Sequence, residues 1–185
     1  TGNVTIPDGS NGTVTRPNPD NTVKKEEIEV PGGTVISPNG TITLPEPKPN
    51  GTEIAPNTKI PEGLPENSGY IAITYNANNG TGDVKKEIGK KNELTVKGSL
   101  FTGVDGAQFA EWNDNGSGKG TTSAADKIVS ANLVLYAVWN TQYKYSATIT
   151  YKPNDGSSDK DIIQTVGHNT DSKLIATIKS NSYQV

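Results

Sequence analysis

The chain has 185 residues and a formal charge of −3, and only 31% of its residues are hydrophobic, too few for one large packed core. It has no Cys, which excludes disulfide scaffolds, thiol catalysis and Cys-based zinc sites. Its scattered lysines leave no footprint for nucleic acid, and no run of about 18 apolar residues is present to insert into a membrane. Met is absent too, which marks a processed protein or an excised piece.

Composition changes at residue 69. Every aromatic residue lies at Tyr70 or later, and of the prolines only Pro153 follows it. A shift that complete predicts a domain boundary, with residues 1–69 on one side. That first part repeats a unit of three extended residues closed by proline: Val4-Thr5-Ile6-Pro7, Val14-Thr15-Arg16-Pro17, Ile28-Glu29-Val30-Pro31, Val35-Ile36-Ser37-Pro38, Ile42-Thr43-Leu44-Pro45 and Thr58-Lys59-Ile60-Pro61. Alternation of apolar and polar residues predicts short strands. Proline ends each one because it has no N–H to give a ladder. Asp8-Gly9, Asn11-Gly12, Asn39-Gly40 and Asn50-Gly51 supply the turns. The spacing fits a Thr/Pro/Gly-rich stalk folded as a small β-solenoid or meander, and the composition equally fits a solvated, extended linker. Lys24-Lys25-Glu26-Glu27 reads as a solvated strand edge or loop. Leu64-Pro65-Glu66-Asn67-Ser68-Gly69 has one residue too many and no Thr for a wall-sorting signal, and reads as a linker into the next part.

Residues 70–141 read as one small β module. Ile71-Ala72-Ile73-Thr74-Tyr75 is a strand entering the Asn79-Gly80 turn. Glu93-Leu94-Thr95-Val96 is expected as a second strand and Ala107 to Asn113 as a third. Thr122 to Lys127 has the length of one helical turn with Ser123 as its cap. Asn132 to Trp139 closes the unit with strict alternation, Leu133, Leu135, Ala137 and Trp139 on one face and Val134, Tyr136 and Val138 on the other.

Four landmarks occur in order: a strand ending Tyr75-x-x-Asn78-x-Gly80, then Phe109-x-x-Trp112-Asn113, a Gly-rich loop, and Asn132-Leu-x-Leu-Tyr-Ala-x-Trp139. In these the segment from Tyr70 to about Asn140 resembles the Listeria–Bacteroides repeat, also known as the internalin B-type B-repeat. The resemblance implies a mainly β chain with a β-grasp-like module. Such modules occur in tandem on secreted or wall-attached bacterial proteins, as spacers and sometimes as adhesive units. The family offers no catalytic residues and no cofactor to carry over.

Residues 142–185 begin a second copy. Ala147-Thr148-Ile149-Thr150-Tyr151 repeats the first strand at an offset of 76. The counterpart of Phe109-x-x-Trp112 would fall past Val185, so this copy is incomplete. Its strand from Ser146 to Tyr151 and the apolar run Leu174 to Ile178 need a partner sheet. The expectation is packing on the first module or strand pairing that turns an otherwise monomeric protein into a dimer.

Candidate chemistry is sparse. His168 is the lone histidine, with no nucleophile or carboxylate at a catalytic spacing, and reads as a surface turn residue. Asp114-Asn115-Gly116-Ser117-Gly118 lacks the distal Glu of a calcium loop, leaving no metal site. Asn-x-Thr/Ser at Asn3, Asn11, Asn39, Asn50, Asn79 and Asn115 follows from Asn turns that precede Thr- or Ser-led segments. Trp112, Tyr136 and Tyr145, with Trp139 and Tyr70 near them in the pattern, are the candidates for a glycan-stacking platform, against the reading of the tryptophans as core. The function expected is a non-enzymatic extracellular spacer or adhesion region at the bacterial surface or cell wall. The alternative is a binding module for a host surface protein or glycan.

Overall fold

The structure is a computed structural model that describes residues 2–45, 52–104, 107–140, 145–151 and 162–168. It is mainly β, with no α-helix among the described residues. Contacts divide the chain into two units, residues 1–101 with 109–139 and residues 102–108 with 140–185.

The first unit holds two sheets. Four short strands, β1 (Val4–Thr5), β4 (Val35–Ile36), β5 (Ile42–Leu44) and β6 (Thr52–Ile54), form one in the order β1-β4-β5-β6, every neighbour antiparallel. β4, β5 and β6 are thus a meander, and the parallel stacking of solenoid coils is not found among the described residues. Most of the proline-closed units do fall on strands. The exception is Thr58-Lys59-Ile60, which lies outside the strands, while Thr52–Ile54 takes the edge of the sheet.

The second sheet has the order β10-β9-β11-β7-β8-β3-β2. Its members are β2 (Gly12–Asn18), β3 (Asn21–Val30), β7 (Tyr70–Asn76), β8 (Val84–Lys90), β9 (Gln108–Asn113), β10 (Thr122–Ser123) and β11 (Leu133–Asn140). This sheet runs straight across residue 69. The β2–β3 hairpin from the N-terminal part lies beside the module's own strands, with β3 parallel to β8 at Glu27↔Lys85, Ile28↔Lys86 and Glu29↔Glu87. At residue 69, where the compositional shift suggested a boundary, the residue types change while the sheet continues.

Burial explains why. β7 is buried on both faces, as a central strand must be. Tyr70 and Ala72 face a core built with Ile28, Val30, Ile42, Leu44, Ile54, Ile60, Leu64 and Ile88. Ile71, Ile73 and Tyr75 face a second core with Leu94, Val96, Trp112, Val129, Leu135 and Ala137. The N-terminal strands thus cover one face of the sheet, where a solvated linker would leave β7 exposed. Leu64 and Ser68 are buried, so the stretch before Tyr70 is part of this cover.

Three further expectations are corrected. The second strand of the module is Val84–Lys90, not Glu93 to Val96, where Thr95 makes one isolated bridge to Ile128. Thr122 and Ser123 form a short strand against Asn113 and Trp112, and Asp126 follows with a φ of 65°, which a helical turn does not contain. Lys24 to Glu27 lies inside β3, with Glu26 fully buried.

The described part of the second unit includes a hairpin of β12 (Tyr145–Tyr151) and β13 (Ile162–His168). It repeats the β7–β8 hairpin. Tyr75 pairs with Lys85 and its counterpart Tyr151 with Ile162, so the paired positions are one residue farther apart in sequence in the second hairpin. The run Leu174 to Ile178 lies outside the described residues.

Candidate functional site

Where β3 meets β8, charged side chains occupy both faces of the sheet. On the face of Ile28 and Ile88, Arg16, Glu26 and Lys86 lie across three strands. Arg16 Nε donates to Glu26 Oε1 at 2.7 Å, and its Nη2 donates to the carbonyl of Thr58. Lys86 Nζ lies 2.8 Å from Glu26 Oε2, aligned for Coulomb attraction and not for a hydrogen bond. These three side chains are 9%, 0% and 5% exposed in that order. In so dry a place each charge depends on its partners.

On the opposite face Lys97 stands between two carboxylates. Its ammonium contacts Glu29 from β3 and Glu87 from β8, the latter at 3.3 Å. Tyr75 completes the group, its hydroxyl accepting from the Lys97 N–H at 3.0 Å. A cavity of about 130 Å³ opens beside these residues, bordered also by Thr13 and Leu100. Burial pushes the Glu87 carboxyl above its ordinary value against the pull of Lys97. Burial acts the same way on Glu29, but hydrogen bonds from Lys97 and Asn11 outweigh it and hold that carboxyl low. Burial likewise raises the Tyr75 phenol. The arrangement ties the β2–β3 hairpin to the module.

The residues that form the sequence landmarks turn out to clasp strands. Asn132 Oδ1 accepts from the Ala72 N–H at 2.9 Å. Asn76 Nδ2 donates to Leu135 O, and Asn78 Nδ2 donates to both Ala137 O and Gly116 O. Trp139 Nε1 donates to Ala77 O at 2.6 Å, and Trp112 Nε1 to Lys97 O at 2.8 Å. The bonds of Asn132, Asn76, Asn78 and Trp139 lock β11 alongside β7, the parallel pair at the middle of the module, and that of Trp112 ties β9 to the segment at Lys97.

Of the candidate stacking residues, Trp112 and Tyr136 have described side chains. Trp112 is 1% exposed and packed among Tyr75, Phe101 and Phe109, with ring centroids 4.9–6.1 Å apart. Tyr136 is half-buried on the outer face of β11, where Gly116 of the Gly-rich loop lies against its ring. Tyr145 opens β12, and its side chain lies outside the described residues. Of the other rings in the pattern, Tyr70 is buried with its hydroxyl donating to Pro45 O, and Trp139 is half-buried against Phe109.

The loop after Trp112 spends its oxygens on itself. Asn113 Oδ1 accepts from Asn115 and Gly120 N–H, and Asp114 Oδ1 accepts from Thr121 N–H. Asn39, Asn79 and Asn115 each accept from the N–H two residues on, so these Asn-x-Thr/Ser sites are side-chain turns. His168 ends β13 opposite Tyr145 and is a strand residue, not a turn residue. No cluster of three or more metal-ligating side chains occurs among the described residues.

Residues 72–138 match the family model of the Listeria-Bacteroides repeat domain. No curated protein and no solved structure matches the chain. The family is one of repeats found in bacterial surface proteins and is not an enzyme family. Residues 72–138, which include Asn76, Asn78, Trp112 and Asn132, are thus a Listeria-Bacteroides repeat, and Trp139 follows directly after the matched stretch.

Proposed function

We propose that the chain is part of the extracellular region of a bacterial surface or secreted protein, where it works as a non-enzymatic spacer. The observation that carries this reading is the repeated hairpin. β7–β8 and β12–β13 present the same strand-turn-strand unit at nearly the same register, as tandem modules do. The residues most distinctive of the repeat support it too, since their polar groups are used up in holding strands together. A module whose distinctive side chains face inward is suited to bearing length rather than to chemistry.

The test is surface accessibility. Intact cells of the source organism, treated with a protease that does not enter them, should lose the repeat from blots raised against this chain. A repeat that is cut only after lysis would overturn the extracellular assignment. The rival reading, recognition of a host surface protein or glycan, would use rings other than Trp112, which is buried.

A further inference from the structure

The seven-stranded sheet ends at β2, and a proline shows which backbone groups that strand turns outward. β2 and β3 pair at every position from Gly12↔Val30 to Pro17↔Lys25. In an antiparallel pair, residues that exchange both backbone bonds alternate with residues that turn both groups away. Pro17 has no N–H, so its pair with Lys25 is of the second kind. Counting back, Arg16, Val14 and Gly12 bond to β3, while Thr15 and Thr13 present N–H and C=O to the outside. Among the described residues no strand pairs with them there, and no other backbone bond reaches them. Both threonines are exposed.

The other edges of the first unit's two sheets are short. β1 and β10 have two residues each and β6 has three, too few to template another strand. β2 has seven. Long natural edges are usually closed by a charge, a bulge or a proline. From Gly12 to Thr15 β2 has none of these. Its one charge, Arg16, is buried on Glu26, and its proline and irregularity come only at Pro17 and Asn18. An uncharged stretch brings no like charges together when it lies beside its own copy. Val14 packs on the core of Ile28 and Val30 yet stays half-buried, and Ile6 lies against Gly12 on the same face. A second strand along β2 would finish covering Val14.

We propose that two copies of this chain associate through β2, antiparallel about a two-fold axis at Val14, so that one sheet runs through both. Thr13 then exchanges both backbone bonds with Thr15 of the other copy, and the two Val14 side chains meet as a non-hydrogen-bonded pair. The same patch serves on both sides, as a two-fold interface requires. An axis at Thr13 would keep bonds between outward-facing residues but set each Val14 against Gly12, which has no side chain to cover it. With the axis at Val14, Gly12 stands opposite Arg16, and its bare Cα leaves room for the longer side chain. The contact is independent of the spacer role. Surface accessibility of the repeat tests that role and says nothing of β2.

The chain has no Cys, so a single introduced thiol can form only an intermolecular disulfide. In the proposed pair the two Val14 Cα atoms stand about 4.5 Å apart, within the span of a disulfide. In the full chain, Val14→Cys under mild oxidation should give covalent dimer about tenfold faster than Val134→Cys, since Val134 is exposed on β11 and reports collision alone. Thr15→Pro removes an N–H that bonds nothing within the chain. It should leave the urea midpoint in place while weakening the dimer seen by sedimentation about tenfold. Thr13→Pro acts on the same set of bonds and takes over where Thr15→Pro does not fold. The proposal is overturned if the parent sediments as a single chain up to about 1 mM, or if Val14→Cys cross-links no faster than Val134→Cys. It is equally overturned if the association survives in a folded proline variant, which would place the contact on another surface.

Discussion

Removing the carboxylate of Glu26 tests the charged seam most directly. Glu26 is fully buried, and both its partners, Arg16 and Lys86, are at most 9% exposed. Glu26→Ala leaves two cations in a place water reaches poorly, beside the apolar cover of Ile28 and Ile88. Breaking a buried pair by deleting one partner destabilises a protein by about 3–5 kcal/mol. For a chain of this size that corresponds to a fall in Tm of about 6–20 °C. The control is one residue away. Glu27 pairs with Lys85 at 3.0 Å with both side chains 40% exposed or more, and Glu27→Ala should cost about 0–1 kcal/mol. Urea unfolding followed by tryptophan fluorescence reads the first unit, because Trp112 and Trp139 both lie in it. The seam reasoning fails if Glu26→Ala and Glu27→Ala lie within 1 kcal/mol of each other. A lower m value in Glu26→Ala would show instead that the hairpin was already detached in the native state.

Three other outcomes are expected. Trp112→Ala empties the centre of the aromatic cluster and should cost about 3–5 kcal/mol, read as a lower urea midpoint by circular dichroism; a midpoint within error of the parent refutes the packing described. Asn132→Ala leaves the buried Ala72 N–H without its acceptor, at about 1–3 kcal/mol, whereas Asn132→Asp keeps an acceptor and should retain most of the stability. Glu87 has its carboxyl raised, chiefly by burial, so the folded state holds its proton to higher pH than the unfolded one. Its contribution is present below the ordinary Glu value and is lost as pH rises through the raised one. Glu87→Gln, fixed in the neutral form, should therefore be more stable than the parent at pH 7, with the difference shrinking as pH falls toward the ordinary Glu range. Glu29, held low, acts in the opposite sense and loses its contribution only in more acid solution. A Glu87→Gln midpoint that tracks the parent at every pH refutes the assignment.

The parts of the fold legible in the sequence are those where burial follows period. β11 alternates strictly, and its faces lie as the alternation says, with Leu135 and Ala137 buried and Val134 exposed. The landmarks also marked the right residues, though as clasps and not as chemistry. β8 escaped notice because Val84-Lys85-Lys86-Glu87-Ile88-Gly89-Lys90 has no apolar period. Its burial depends on charges supplied by β3, more than fifty residues earlier, and no local window contains both halves. The same gap hid Arg16 and Glu26, whose charges normally mark solvent. Glu93-Leu94-Thr95-Val96 alternates like a strand, with Leu94 and Val96 buried, yet it makes only one bridge. Inward-facing alternation says which side chains are covered, not whether a neighbour is there to pair with.

The lysines of β8 also act as an address. In the second hairpin the positions that correspond to Lys85, Lys86 and Glu87 by register are Ile162, Ile163 and Gln164, none of which carries a charge. A copy of β3 laid along β13 would bring Glu26 and Glu27 to residues that offer no cation, at the cost of stranding a carboxylate against its neighbours. Two hairpins alike in outline are thereby made unequal as docking partners. On charge alone, β8 is the better match for β3 of the two hairpin strands.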